Sequence, residues 1–187
     1  METSGVVPSS IRTYTGIYFT PLEPRVEDVR IEDIAHALSQ LNRFCGHSRK
    51  PYSVAEHSVR AAALVPKEDQ LWALLHDAAE IYGINDLAAP LKNTHEFAFY
   101  RDVEERIQEV VFERFGLLGD RPESVKLADL TMVSTEARDL MGVADPAAEW
   151  HLPPPLERRI VPWSPEVAEI RFLSLFERLY GPAEAIA

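Results

Sequence analysis

Residues 71–83 read LWALLHDAAEIYG. Leu71, Leu74, Leu75, Ala78 and Ala79 recur at helical spacing, so the stretch predicts an amphipathic helix from about 67 to 82. The apolar run is interrupted by His76-Asp77, and Glu80 follows one turn later. Ionised carboxylates are almost never buried unless they are paired or bound to a metal. The segment therefore predicts a helical fold with a site inside it.

The helical period continues on both sides. Ile31, Ile34, Ala35, Leu38 and Leu41 form one face of an earlier helix. Ser53-Val54-Ala55-Glu56 reads as a capping box, opening a helix that ends near Pro66. Residues 95–115 carry Phe99, Val103, Ile107, Val110 and Phe115 in phase, and Gly116 suits the C′ position. Pro122 suits the first turn of the next helix, which ends near Gly142. Residues 143–163 hold five prolines and read as an extended connection. Ser164-Pro165 then caps a last helix. Residues 11–24 (IRTYTGIYFTPLEP) are β-branched and aromatic around Gly16, which predicts a short hairpin. The expectation is an all-α bundle of about six helices with a short N-terminal β-hairpin. It forms one domain over 1–187, with the hairpin at 11–24, a core at 31–142, and a C-terminal connection and helix at 143–182.

Composition narrows the functional classes. The 187 residues have a mean hydropathy of −0.16, are 46% hydrophobic and 26% charged, and suit a soluble globular chain. No apolar run approaches a membrane span, and residues 1–10 lack the basic start and apolar stretch of a signal peptide. With 19 basic and 30 acidic residues the net charge is −11, which disfavours a nucleic acid polymer as partner. The single cysteine, Cys45, excludes an internal disulfide and a multi-cysteine zinc site. A cytoplasmic location is expected.

The remaining polar residues point to chemistry. His57 sits in the first turn of its helix, His76-Asp77 lies in an apolar helix, and Asp129 interrupts the apolar stretch 125–133. Two histidines and two aspartates from three helices are a nitrogen and oxygen set for a divalent transition ion. Glu80 shares a helix face with His76, placed to take a proton from water on that ion. Arg43, His47 and Lys92 lie near these segments in sequence and suit a phosphate.

The order His57, His76-Asp77, Asp129 resembles the metal motif of the HD-domain phosphohydrolase superfamily. Asn42-Arg43-Phe44 ahead of Ser53-Val54-Ala55-Glu56-His57-Ser58 is similar to the arginine and helix start of bacterial HD-type 5′-deoxynucleotidases. So are His76-Asp77-Ala78-Ala79-Glu80, Asp86-Leu87, Pro90-Leu91-Lys92 and Val125-Lys126-Leu127-Ala128-Asp129. Short HD proteins of bacteriophages, some of them triphosphohydrolases of deoxyadenosine triphosphate, resemble it too, so phage origin is an open alternative. The resemblance spans residues 34–140. It implies an HD-domain bundle whose metal ligands are His57, His76, Asp77 and Asp129. It also implies Glu80 and Asp86 at the nucleophilic water or a second ion, Arg43 at phosphate, and Phe44 near the sugar 2′ position. It implies manganese, cobalt or zinc, with an additional magnesium as an option, and a homo-oligomer. The implied activity is hydrolysis of nucleotides or deoxynucleotides. The products are nucleoside plus phosphate from 5′-monophosphates, or nucleoside plus triphosphate from triphosphates. Alternatives are a hydrolase of a cyclic or pyrophosphorylated signalling nucleotide, and a non-catalytic metal-stabilised binding module.

Overall fold

A computed structural model describes residues 9–85 and 87–181. The hairpin pairs β1 (Ile11–Arg12) with β2 (Tyr18–Phe19) antiparallel, Ile11 opposite Phe19. Gly16 turns it at φ 92°, where a side chain would be strained. Two features fasten it to the helices. The Thr15 amide and hydroxyl donate to Asp33 at 2.6 and 2.9 Å, which explains a buried aspartate near the start of the first helix. Phe19 is fully buried and stacks on Tyr82 with ring centroids 3.9 Å apart.

Eight α-helices follow among the described residues: α1 (Ile31–Gln40), α2 (Val54–Ala62), α3 (Gln70–Leu75), α4 (Ala89–Lys92), α5 (Ala98–Arg114), α6 (Glu123–Glu136), α7 (Pro146–Trp150) and α8 (Pro165–Tyr180). Six of them correspond to the helices expected from periodicity. The other two, α4 and α7, are single turns. Helix α2 is central and packs against α1, α3, α6 and α8. One apolar cluster runs from Phe19 to Phe176, including Ile34, Leu38, Leu74, Leu75, Ile107 and Phe172. Each such side chain removed from water contributes about 1.5–3 kcal/mol before ordering entropy is counted. No described helix is long and apolar enough to cross a membrane.

Four local expectations are corrected. The helix expected over 67–82 is broken: α3 ends at Leu75, Asp77 leaves helical geometry at φ −107°, ψ 12°, and Ala78–Ile81 is a separate 3₁₀ turn. Residues 143–163 are not wholly extended, because Asp145 caps α7 by accepting from the Ala148 amide at 3.1 Å, with Pro146 at its first position. Pro122 stands at the N-cap in extended geometry, one residue outside α6. Ser53 caps α2 by accepting from the Glu56 amide at 3.1 Å, but Glu56 does not reach back to complete a box. Its carboxylate is taken by Arg60 and by the Trp163 amide.

Candidate metal centre

His57 enters from the first turns of α2, His76 and Asp77 from the break after α3, and Asp129 from the second turn of α6. Each imidazole is oriented by its far nitrogen. His57 Nδ1 lies 2.6 Å from Glu136 Oε1, and His76 Nδ1 lies 2.7 Å from the Ala73 carbonyl oxygen. Both partners are acceptors, so in a neutral ring the proton sits on Nδ1 and Nε2 is left with a lone pair. The two Nε2 atoms face each other at 3.3 Å. Asp129 Oδ1 stands 3.1 and 3.9 Å from them, and Asp77 approaches them at 3.7 and 3.2 Å.

Four acceptors therefore converge. Ligands of one ion at bond lengths of about 2.1 Å stand about 3.0–3.4 Å apart, close to the separations seen here. His57, His76 and Asp129 each place a donor atom within 4.8 Å of the others. The nitrogen and carboxylate set fits a divalent transition ion better than calcium, which prefers all-oxygen cages.

Electrostatics agree with a cation site. Burial and Arg43 push His57 down, but Glu136 and Asp129 outweigh them and raise it to about 9. Burial opposes charge on Asp129, yet His57 and His76, when they also carry a proton on Nε2, donate to it and hold its carboxyl well below the usual range; an ion bound there would replace those protons. Glu136, wholly buried, is also held down, by Arg43 and His57 against its own desolvation. Sequence reading missed Glu136. A signal was present: it lies seven residues after Asp129, two turns along the same face of α6, between Thr135 and Ala137. Just past it the helix widens into a π turn at Ala137–Met141.

Arg43 is buried and joins the cluster. Its Nε donates to Glu136 at 3.1 Å, one terminal nitrogen to Asp77 at 3.3 Å, and the other lies 4.0 Å from Asp129. Beside the cluster opens a cavity of about 540 Å³ that reaches His76, Asp77, Glu80 and Asp129 at its inner end. Its outer part carries Glu104, Glu105, Glu109 and Asp120 with Lys92, Arg101 and Arg121. Glu80 thus reaches the site through the 3₁₀ turn, not through an unbroken helix face. Lys92 borders the same cavity but is ion-paired to Glu104, with nitrogen and oxygen 2.6 Å apart.

Other expected residues stand apart. Phe44 and His47 do not border this cavity; Phe44 instead lies against Arg43, whose guanidinium carbon is 5.7 Å from its ring centre. Phe44 and Cys45 adopt positive φ of 55° and 50° directly after Arg43. Asp86 lies outside the described residues.

Comparison with known proteins gives two relatives of similar length. The Escherichia coli K12 "uncharacterized protein YfdR" is 43% identical over 132 residues, spanning 71% of this chain and 72% of that protein. The Rhodobacter capsulatus "uncharacterized protein RCAP_rcc00048" is 32% identical over 151 residues, spanning 74% of this chain and 76% of that protein. No protein-family model matches the chain.

Proposed function

The chain belongs to the family of the Escherichia coli protein YfdR, and we propose that it is a metal-dependent phosphohydrolase acting on nucleotides in the cytoplasm. The observation that carries this reading is the meeting of His57, His76, Asp77 and Asp129 with both imidazole Nε2 atoms turned inward. A divalent ion held by these four would polarise a phosphoryl oxygen and make hydroxide available near neutral pH. Glu80, at the inner end of the cavity, takes the proton released from the attacking water. Arg43, held through Nε by Glu136, has one terminal nitrogen on Asp77 and the other beside Asp129, and would swing them to a phosphate group once an ion takes those carboxylates. The cavity of about 540 Å³ has room for a nucleotide, and the HD-type resemblance in the motif order favours a deoxynucleotide, as 5′-monophosphate or triphosphate.

The test incubates the purified chain with manganese or cobalt and a panel of ribo- and deoxynucleotide mono- and triphosphates, with products resolved by chromatography. Hydrolysis of a nucleotide at the phosphorus nearest the sugar is expected. Asp77→Ala should lose bound metal and at least about 10³-fold in turnover, roughly 4 kcal/mol of transition-state stabilisation. Glu80→Gln should keep the metal and lose about 10²–10⁴-fold. Full turnover in Asp77→Ala would sink the reading. Metal binding with no hydrolysis of any nucleotide would turn it into a binding module.

A further inference from the structure

The break at His76-Asp77 has a cause on another helix. In a continuous helix the Ala79 amide would donate to the Leu75 carbonyl, four residues back. Here the side-chain amide of Gln108, from the middle of α5, stands between them. Its oxygen accepts from the Ala79 N–H at 3.1 Å, and its nitrogen donates to the Leu75 carbonyl at 2.8 Å. Both backbone groups are satisfied, yet the ladder is opened by the width of one carboxamide. A side chain inserted into the ladder is one of the few recognised causes of a sharp helix break.

The break matters because His76 and Asp77 are sequence neighbours. On a regular helix adjacent side chains point about 100° apart and do not face each other. Here His76 Nε2 and Asp77 Oδ1 lie 3.2 Å apart, and His76 Nε2 and Asp77 Oδ2 stand 3.3 and 3.7 Å from His57 Nε2. We propose that Gln108 is a positioning residue: by holding the Leu75–Ala79 ladder open, its carboxamide lets consecutive residues supply two ligands to one ion. Gln108 supplies no ligand itself; it acts through the backbone between them. The inference rests on the metal-site reading above.

Gln108→Met preserves shape and length while removing both hydrogen bonds. The Ala79 amide and the Leu75 carbonyl then regain each other, so the metal-free protein keeps its melting temperature within a few degrees. Manganese affinity, measured by calorimetry, falls about tenfold to a hundredfold, the range for outer residues that orient ligands. A crystal structure of the variant shows the Ala79 N–H bonded to the Leu75 carbonyl. Gln108→Glu keeps the acceptor for Ala79 but loses the donor to Leu75, and falls between the two in affinity. Unchanged manganese affinity in Gln108→Met overturns the proposal, and so does a break that persists in its structure. An affinity loss matched by an equal loss of metal-free stability also overturns it, since a merely structural contact would give that. Failure of the wild-type chain to bind manganese would instead strike the metal-site reading, and the crystal structure would still judge the break.

Discussion

Two groups of charged side chains are packed against α2, and they are built in opposite ways. In the first, Glu56 is wholly buried, and each of its oxygens has a donor: Arg60 at 2.9 Å on one, the Trp163 amide at 2.7 Å on the other. Arg60 also donates to the Val161 carbonyl, and the Arg60 and Arg171 guanidinium groups both lie over the Trp163 ring, 4.6 and 4.2 Å from its centre. Donors match acceptors, and the group straps the C-terminal connection onto the bundle. In the second, one residue along, His57 meets His76, Asp77 and Asp129 as acceptors, with Arg43 the cation drawn among them. A buried cluster that balances itself holds a fold together. One that gathers acceptors asks for a cation from outside, and that asymmetry distinguishes a site from a strap.

The sharpest way to break this contrast is to remove Glu56. Glu56→Ala leaves the Trp163 amide without its acceptor and the half-buried Arg60 without its carboxylate. A loss of about 3 kcal/mol in urea unfolding is expected. Metal stoichiometry of the folded fraction should not change. Loss of metal at unchanged stability would mean the two groups are one.

The second cluster should respond in the reverse sense. Manganese at a hundred times its dissociation constant should stabilise the wild-type chain by about 2.7 kcal/mol. For a chain of this size that is about 5–10 °C in melting temperature. The gain should vanish in Asp129→Asn and persist in Glu56→Gln. Scanning calorimetry with and without a chelator measures it, and a gain of equal size in Asp129→Asn would remove the distinction.

Much of the scaffold was legible because local signals suffice for it. Ser53 and Ser164 cap their helices as their positions suggest, and Gly116 takes the left-handed geometry after α5 at φ 73°. The convergence of His57, His76, Asp77 and Asp129 was legible because charged residues in apolar stripes must meet something. The break at His76 was not, since apolar periodicity records burial: Leu74, Leu75, Ala78 and Ala79 are buried with or without it. Its cause, Gln108, is 29 residues from Ala79 in the chain. Helix α7 was hidden for a different reason. Its Asp145-Pro146 start has the same form as Ser164-Pro165, but the prolines that follow masked it. Glu136 needed the register of α6 carried two turns past Asp129, to a position that meets His57 from another helix.

The smallest expected effect sharpens the comparison at its margin, where the strap meets the π turn. Asp139 accepts from Arg138 at 2.6 Å, from the Ile160 amide at 2.8 Å and from Arg159 at 2.6 Å. Burial alone would raise its pKa, but Arg138, the Ile160 N–H and Arg159 outweigh it and hold the carboxyl below its ordinary value. The folded value is therefore lower than the unfolded one of about 3.9. Its stabilisation is present above that unfolded value and is lost as pH falls through the folded one. Arg159 is largely exposed, so its share is screened, and the Ile160 amide and Arg138 carry the effect. Asp139→Asn should cost about 1–2 kcal/mol at pH 7. The gap to wild type should close as acid protonates Asp139, and manganese affinity should match that of the wild type at each pH. A gap that stays constant down the acid limb would show that the aspartate contributes shape and not charge. The strap would then be balanced by Glu56 alone.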